Sequence, residues 1–333
     1  MDIDAKIHNE YVTNLAAQHN VAEMSEEEAW HFNRRMGMGG SDIGAILGLN
    51  PYKTPLQVWK EKVGEVGPDQ AGEAAYWGTQ LEPVVAQEYT KRTGHKIQRI
   101  NRVIHHADMP WMAANIDRII WQNGKAPVVK NKIRSKHLLE CKTASPFAKE
   151  WGEENTDEIP HSYWLQCTWY LATLNADICD VALLKGGQQY LQYRVERNPQ
   201  VETMMIERAR QFWVDHVIAG VPPEPTALNE VNEFFKKDNG QSVLADHETQ
   251  VSIEKLKELK SKIKALEKLA DVHETKIKKC LGEAANLIDN HGNKIATWKA
   301  QNSNRFDGKG FKAAHPALAK KFMKQNQSRV FRL

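Results

Sequence analysis

The nine residues His137-Leu-Leu-Glu-Cys-Lys-Thr-Ala-Ser145 decide the fold. A short apolar run that reads as a buried strand ends by placing an acid and a base two residues apart. Side chains alternate between the faces of a strand, so Glu140 and Lys142 share one face and Cys141 points to the other. A second acid, Asp117, lies inside the apolar run Ala113-Ala-Asn-Ile-Asp-Arg-Ile-Ile120. The two strands are joined by Gln122–Lys136, which carries an Asn123-Gly124 turn signal. Ionised carboxylates in buried strands are costly unless compensated. A bound divalent cation is one compensation, with Lys142 beside it to handle an attacking water. The other is plain ion pairing, Asp117 with Arg118 or Glu140 with Lys142, and the residues alone leave both readings open.

Elements can be read outward from this pair. Ser25 with Glu28 predicts a capping box that opens a helix carrying Arg34 and Arg35 toward the loop Gly37-Met-Gly-Gly-Ser41. Ser41 is expected to cap a short helix through Leu47. Thr54, Pro55, Gln57 and Gly64 mark the start and stop of the next helix. Another is expected to open at Thr79 and end at Gly94. Strand-like runs follow at 96–106, 111–121 and 136–144, then a helix after Pro160, a strand pair around Gly186-Gly187, and a helix over 200–219. This order predicts an α/β fold, a mixed central sheet flanked by helices.

The organisation expected is a polar extension over 1–24 with no periodic signal, a core domain over 25–228, and a C-terminal region over 229–333. In that last region Leu256, Ile263, Ala270 and Ile277 fall seven apart, as do Leu259, Leu266, His273 and Cys280, which predicts one long helix. From His291 to Leu333 ten Lys or Arg face a single acid, Asp307, with Trp298, Phe306, Phe311, Phe322 and Phe331 interleaved. Cations mixed with aromatic rings suit a partner bearing phosphates and bases; a solvated face is the alternative.

The chain has 333 residues and a net charge of +3, and its four cysteines stand far apart without CxxC or metal-ligand spacing. That argues against a disulfide framework and a zinc ribbon. The N-terminus lacks the pattern of a signal peptide, and no apolar run reaches the length of a membrane span. A cytoplasmic protein is expected.

Taken together, RRMGMGGSDIGAILGLNPY, WGTQLEPVVAQEY, MAANIDRII, LLECKTA and YWLQCTWYLA, covering about 30 to 230, resemble the lambda exonuclease and YqaJ-type viral recombinase branch of the PD-(D/E)xK nucleases. The resemblance implies a Mg²⁺-dependent exonuclease, with Mn²⁺ as a substitute. Its substrate would be linear duplex DNA ends, digested 5′ to 3′ and processively, and its products 3′ overhangs for a single-strand annealing protein. It also implies a homo-oligomer, often a ring trimer. By resemblance Asp117, Glu140 and the backbone carbonyl of Cys141 are metal ligands, Lys142 is the catalytic lysine, and Glu82 and Gln166 organise water near it. Arg34 and Ser41 match the pair that holds a terminal 5′-phosphate, with Arg35 next in register. Asn115 stands where the family has a serine, and Lys149 where a further phosphate-binding arginine is expected; a lysine is a point charge and no bidentate fork. The acid-free cations Lys125, Lys130, Lys132, Arg134 and Lys136, on the loop between the two site strands, are expected to project near the DNA path and grip its phosphates independently of sequence. An endonuclease on the same core and a non-catalytic DNA-binding or assembly protein are the rival readings.

Overall fold

The computed structural model describes residues 3–67, 72–130, 132–324 and 328–333. The chain divides into two compact units, Met1–Val231 and Asn232–Leu333.

In the first unit, α1 (Ile3–Ala17) occupies the N-terminal stretch for which the sequence offered no element. His8 and Tyr11 of α1 lie against the buried Trp213 ring, at 5.9 and 5.4 Å between centroids. α2 (Glu26–Arg35) begins at Ser25 with the expected capping box. α3 (Gly40–Ile46) starts earlier than expected. Its cap is Gly39, whose N–H donates to Asp42 Oδ2 at 2.9 Å, so Ser41 lies inside the first turn with its hydroxyl released from capping. α4 (Pro55–Val63) has the predicted Thr54–Gln57 box and ends at Gly64, in the left-handed region at φ 81°. α5 (Glu73–Thr93) opens six residues before Thr79. The Thr79 hydroxyl donates to the Ala75 carbonyl within the helix, which leaves Glu82 on a helix flank rather than in a capping box.

The two strand-like runs after α5 each break in two. β1 (Ile97–Arg99) and β2 (Ile104–His105) come from the first, β3 (Ala113–Ala114) and β4 (Arg118–Ile120) from the second. Asp117 therefore lies immediately before β4 rather than within a continuous strand. β5 (Val128–Val129) and β6 (Lys132–Ile133) form a hairpin, and Asn123 and Gly124 both take positive φ in the expected turn. β7 (His137–Ala144), α6 (His161–Leu174), β8 (Ile178–Lys185), β9 (Gln189–Glu196) and α7 (Pro199–Phe212) follow. α7 runs into a π-helical turn, Trp213–Ile218, and α8 (Leu228–Phe234) comes after it.

The central sheet has the order β1-β4-β7-β8-β9. Only β7 and β8 are parallel, with α6 as their crossover; the other neighbours are antiparallel. The sheet is thus mixed, with helices on both faces. α5 covers one face, where Val85, Ala86 and Tyr89 pack on Ile120, Leu139 and Cys141. α6 covers the other, where Leu165 and Trp169 join Leu138, Val181 and Leu183 in the larger core. The alternation along β7 is what the sequence requires: Leu139 and Cys141 enter the α5 core, while Leu138, Glu140 and Lys142 face α6. Asp180 ties the α5 layer together, accepting hydrogen bonds from Tyr89 at 2.6 Å, from His137 at 2.8 Å and from Arg194 at 2.8 Å.

In the second unit α9 (His247–Leu281) is a 35-residue helix, about 52 Å long at the α-helical rise. It is followed by the hairpin β10 (Asn286–Ile288) and β11 (Lys294–Thr297), then α10 (Gly308–Ala314) and α11 (Pro316–Phe322).

Candidate active site

The site forms where the β4–β7 ladder stops. β4 pairs with β7 only through Arg118↔Leu139 and Ile119↔Leu138. Beyond that rung the Cys141 N–H donates to Asp117 Oδ2 at 2.8 Å instead of to a strand. In a strand the N–H and C=O of one residue point to the same side, so the Cys141 carbonyl also faces Asp117. Two carboxylates and one carbonyl thus converge from a strand end and a neighbouring strand.

Glu140 is buried, and its two oxygens differ. Oε1 receives the Lys142 ammonium at 2.7 Å and the Gln166 amide at 2.8 Å. Oε2 is buried without a hydrogen-bond partner. Gln166 completes a closed circuit, its Oε1 accepting from Lys142 at 3.1 Å while its Nε2 also reaches the Tyr170 hydroxyl oxygen at 2.9 Å. Tyr163, three residues before Gln166 on α6, places its ring 4.6 Å from the Lys142 ammonium. The face shared by Tyr163, Gln166 and Tyr170 is the one their helical spacing predicts.

The electrostatics reflect crowding of negative charge. Burial, and then the adjacent Glu140, push the Asp117 carboxyl up to about 8. Burial opposes the charge on Lys142, yet Glu140 and Asp117 outweigh it and hold the ammonium above its ordinary range. Among the described residues no three His, Cys, Asp or Glu side chains gather into a metal cluster. The donor set is two carboxylates and a backbone carbonyl, one carboxylate oxygen being buried and unpartnered. Hard oxygen donors of this kind fit Mg²⁺ or Mn²⁺ rather than a thiolate-seeking metal.

A cleft of about 220 Å³ runs from this point to the glycine loop and is lined by Arg34, Ser41, Asn115, Asp117, Glu140 and Gln166 among others. The loop is held against the strand by Met38, whose N–H donates to the Trp111 carbonyl at 2.7 Å and whose carbonyl accepts from Ala113 at 2.9 Å. Arg34 donates to the Ser41 hydroxyl at 3.3 Å. Arg35 is turned away, capping α4 through the Lys62 and Val63 carbonyls, so Arg34 is the arginine of the cleft. α3 comes close to α6: a Cβ on Gly40 would lie 2.7 Å from Tyr170 Cε1 and 3.0 Å from Gln166 Cγ. A second cleft, about 290 Å³, shares Asn115 and Asp117 with the first and is lined by Glu82, Arg99 and Arg102.

Three residues were missed from sequence. Asp42 and Lys62 form a buried ion pair at 2.6 Å under the glycine loop, and Lys62 also donates to the Arg34 and Gly37 carbonyls at 2.7 Å. Burial raises the Asp42 carboxyl, but Lys62, Lys53 and Arg34 outweigh it and leave it well below the usual carboxylate range. Its position three residues after a glycine cap was a usable signal; Lys62 gave none. Arg118 is the third. It is buried, bonds Glu82, and donates to the Asp117 carbonyl at 2.7 Å. Glu82 is therefore tied to the Asp117 backbone through an arginine.

Two sets of expected residues lie away from the carboxylates. Lys125, Lys130, Lys132, Arg134 and Lys136 sit on the loop joining the end of β4 to the start of β7, because antiparallel strands put that loop opposite Asp117. Lys136 is four residues before Glu140, on the order of 13 Å along the strand, and its ammonium is held by the Asn175 carbonyl past the end of α6. Lys149 is exposed on the loop after β7 and does not line either cleft.

The sequence profile of the YqaJ-like viral recombinase domain matches residues 29–177. The chain is 33% identical to the Bacillus subtilis (strain 168) protein YqaJ over 319 residues, which cover 93% of this chain and 94% of that one. It is 42% identical over 57 residues to protein D345L of African swine fever virus (strain Badajoz 1971 Vero-adapted), 17% of this chain and 16% of that one. Among solved structures it is similar to an alkaline exonuclease from Laribacter hongkongensis, with a TM-score of 0.43 and 15% identity, covering 58% of this chain and 94% of the other. The chain belongs to the YqaJ-like viral recombinase family. No helix among the described residues is long and apolar enough to cross a membrane.

Proposed function

We propose that this protein is a metal-dependent deoxyribonuclease that degrades one strand of linear duplex DNA from its 5′ end. One observation carries the reading: a half-buried Asp117 stands beside the buried Glu140, with one Glu140 oxygen unpartnered and Lys142 on the same face. Such a pair is destabilising unless a cation joins it, so the simple ion-pair reading explains the lysine but not the second carboxylate.

When bound there, Mg²⁺ or Mn²⁺ supplies Lewis-acid polarisation of the scissile phosphate. Asp117, Glu140 and the Cys141 carbonyl are the groups that would hold it. Lys142 is placed to orient the attacking water, and Gln166 fixes Lys142 and Glu140 relative to each other. The water oxygen forms a bond to phosphorus and the P–O3′ bond breaks, leaving a 3′-hydroxyl on the departing nucleotide and a new 5′-phosphate on the strand. Arg34 and Ser41, at the far side of the cleft and beside the start of α3, are placed to receive that 5′-phosphate. Each cut therefore produces the end that the next one needs. Asn115 lines the same cleft. A 3′ overhang made in this way is a substrate for a single-strand annealing partner, and a homo-oligomer enclosing the duplex would favour processivity.

Digestion of linear duplex with and without a 5′-phosphate, in Mg²⁺, beside closed circular DNA, tests the reading. Loss of one strand from the linear DNA alone, faster with the phosphate and abolished by Glu140→Gln, is expected. Cutting of the circle would replace the exonuclease with an endonuclease, and binding without cleavage would refute the catalytic assignment.

A further inference from the structure

The charge of this chain is unevenly placed. Residues 291–333 hold ten Lys or Arg and one acid, whereas residues 1–290 hold 35 basic and 41 acidic side chains. Most of the chain is therefore net acidic and would be repelled by a polyanion. The attraction is concentrated in β11, α10, α11 and the segments around them.

The local bonding shows that this charge is uncompensated. On α9 two of the nine lysines are ion-paired, Lys262 with Glu258 and Lys278 with Glu274, each at 2.5 Å. Beyond residue 290 no ion pair is found among the described residues. The single acid, Asp307, is occupied in capping α10, accepting from the Lys309 and Gly310 N–H groups at 3.1 and 2.9 Å. Concentrated like charge opposes compact folding, and beyond residue 290 no acid is paired with it among the described residues.

Rings accompany the cations. Trp298 is 49% exposed, Phe306 77%, Phe322 75% and Phe331 72%; two of them already take a cation from α9, Lys278 standing 5.3 Å from the Trp298 ring centroid and Lys260 5.7 Å from that of Phe331. Large rings left this open cost hydration free energy unless something covers them. A second copy of the same unit would bring its own lysines against these lysines. A duplex meets the charge but hides its base faces, whereas an unpaired strand offers phosphates and stackable bases together.

We infer that the C-terminal hairpin and two-helix unit is a holding site for single-stranded DNA, with Lys320, Lys321 and Lys324 on its phosphates and Trp298, Phe322 and Phe331 stacked on its bases. The identity of the strand as DNA rests on the nuclease reading; the binding chemistry does not.

The test is fluorescence anisotropy of the full chain with a labelled oligo(dT), and with a duplex of mixed sequence, in chelator so that no cleavage is needed. Combined Lys320→Gln, Lys321→Gln and Lys324→Gln should reduce the salt slope for oligo(dT) by about 2, at ~0.7 per phosphate contact. Phe322→Ala with Phe331→Ala should weaken oligo(dT) at least roughly tenfold, as expected for stacking platforms, and leave duplex affinity within about twofold. Phe322→Tyr with Phe331→Tyr keeps the rings and should restore binding, which separates lost stacking from lost folding. Equal losses for oligo(dT) and duplex in the alanine pair, or an unchanged salt slope in the lysine triple, would overturn the inference. Tight oligo(dT) binding by a chain that cuts nothing would sustain it while refuting the nuclease.

Discussion

Gly40→Ala is a one-carbon change aimed at the packing of α3 on α6. The new Cβ would sit 2.7 Å from Tyr170 Cε1, 3.0 Å from Gln166 Cγ and 3.2 Å from the Gln166 carbonyl oxygen. The first contact is roughly 1 Å inside ordinary carbon–carbon separation. Neither neighbour yields easily, since Tyr170 is buried and Gln166 is bound to Glu140, Lys142 and Tyr170 at once. Overpacking of this kind costs about 1–3 kcal/mol, offset by up to ~1 kcal/mol of helix propensity. A net destabilisation of about 1–2 kcal/mol is expected in urea melts. Activity should fall much further, because a displacement of about 1 Å in a positioning group is worth on the order of 100-fold. Gly39→Ala is the control: its Cβ would meet only Asp42 Oδ2, at an ordinary 3.6 Å, so it should cost at most about 1 kcal/mol of capping preference and retain turnover. Equal turnover of the two variants on 5′-phosphorylated duplex would refute the claim that α3 sets the Gln166 position.

Three further expectations concern other parts of the first unit. Arg118→Met leaves the Glu82 carboxylate half-buried without its partner and should cost about 3 kcal/mol; Glu82→Gln added to it should recover part of that, and additive effects in the double-mutant cycle would show that the pair is not coupled. Despite burial, His137, Arg194 and Tyr89 lower the Asp180 carboxyl to about 2. A depressed acid stabilises the fold above its unfolded value of 3.8, so about 2 kcal/mol should be lost as pH falls from 3.8 to 2, and an Asp180→Asn chain whose stability fell as steeply there would contradict this. Lys125→Gln, Lys130→Gln and Lys132→Gln together should lower the salt slope of duplex binding by about 2.7 while leaving saturated turnover unchanged, because the loop lies at the end of the strands away from Glu140; a slope that does not move would make the loop a solvated hairpin.

Much of this arrangement was legible because it is local. The capping boxes at Ser25 and Thr54, the glycine stops at Gly64 and Gly94 and the alternation along β7 depend on neighbours in sequence, and each appears where sequence places it. The misplacements share a cause in tertiary contact. Thr79 makes a sound cap on paper, but α5 continues back to Glu73 through exposed residues, and the Thr79 hydroxyl turns to the Ala75 carbonyl, leaving Glu82 for Arg118. Ser41 yields the cap to Gly39 because only glycine at position 40 lets α3 meet α6. The distance of the basic loop from the carboxylates could not be read from chain adjacency: it is continuous with both site strands, yet antiparallel pairing carries it to their other ends. Asp117 and Glu140 could be singled out as acids inside apolar strand runs, whereas Arg34, Asn115 and Gln166 were named through the resemblance; Lys62, 78 residues before Glu140 and in an ordinary helix, had no local pattern to betray it.

The ladder between β4 and β7 ends after two rungs, and the site occupies the opening. Mechanically this is a sheet left unlaced at one end, with a carboxylate on each lip and a spare carboxylate oxygen between them. A cation held by Asp117 and Glu140 would act as the missing lace, so that the affinity of the site and the cohesion of the sheet would become one quantity. Free metal at about 100 times its dissociation constant would then raise unfolding free energy by about 2.7 kcal/mol, and a strand end that frays without metal would close only in the state able to cut.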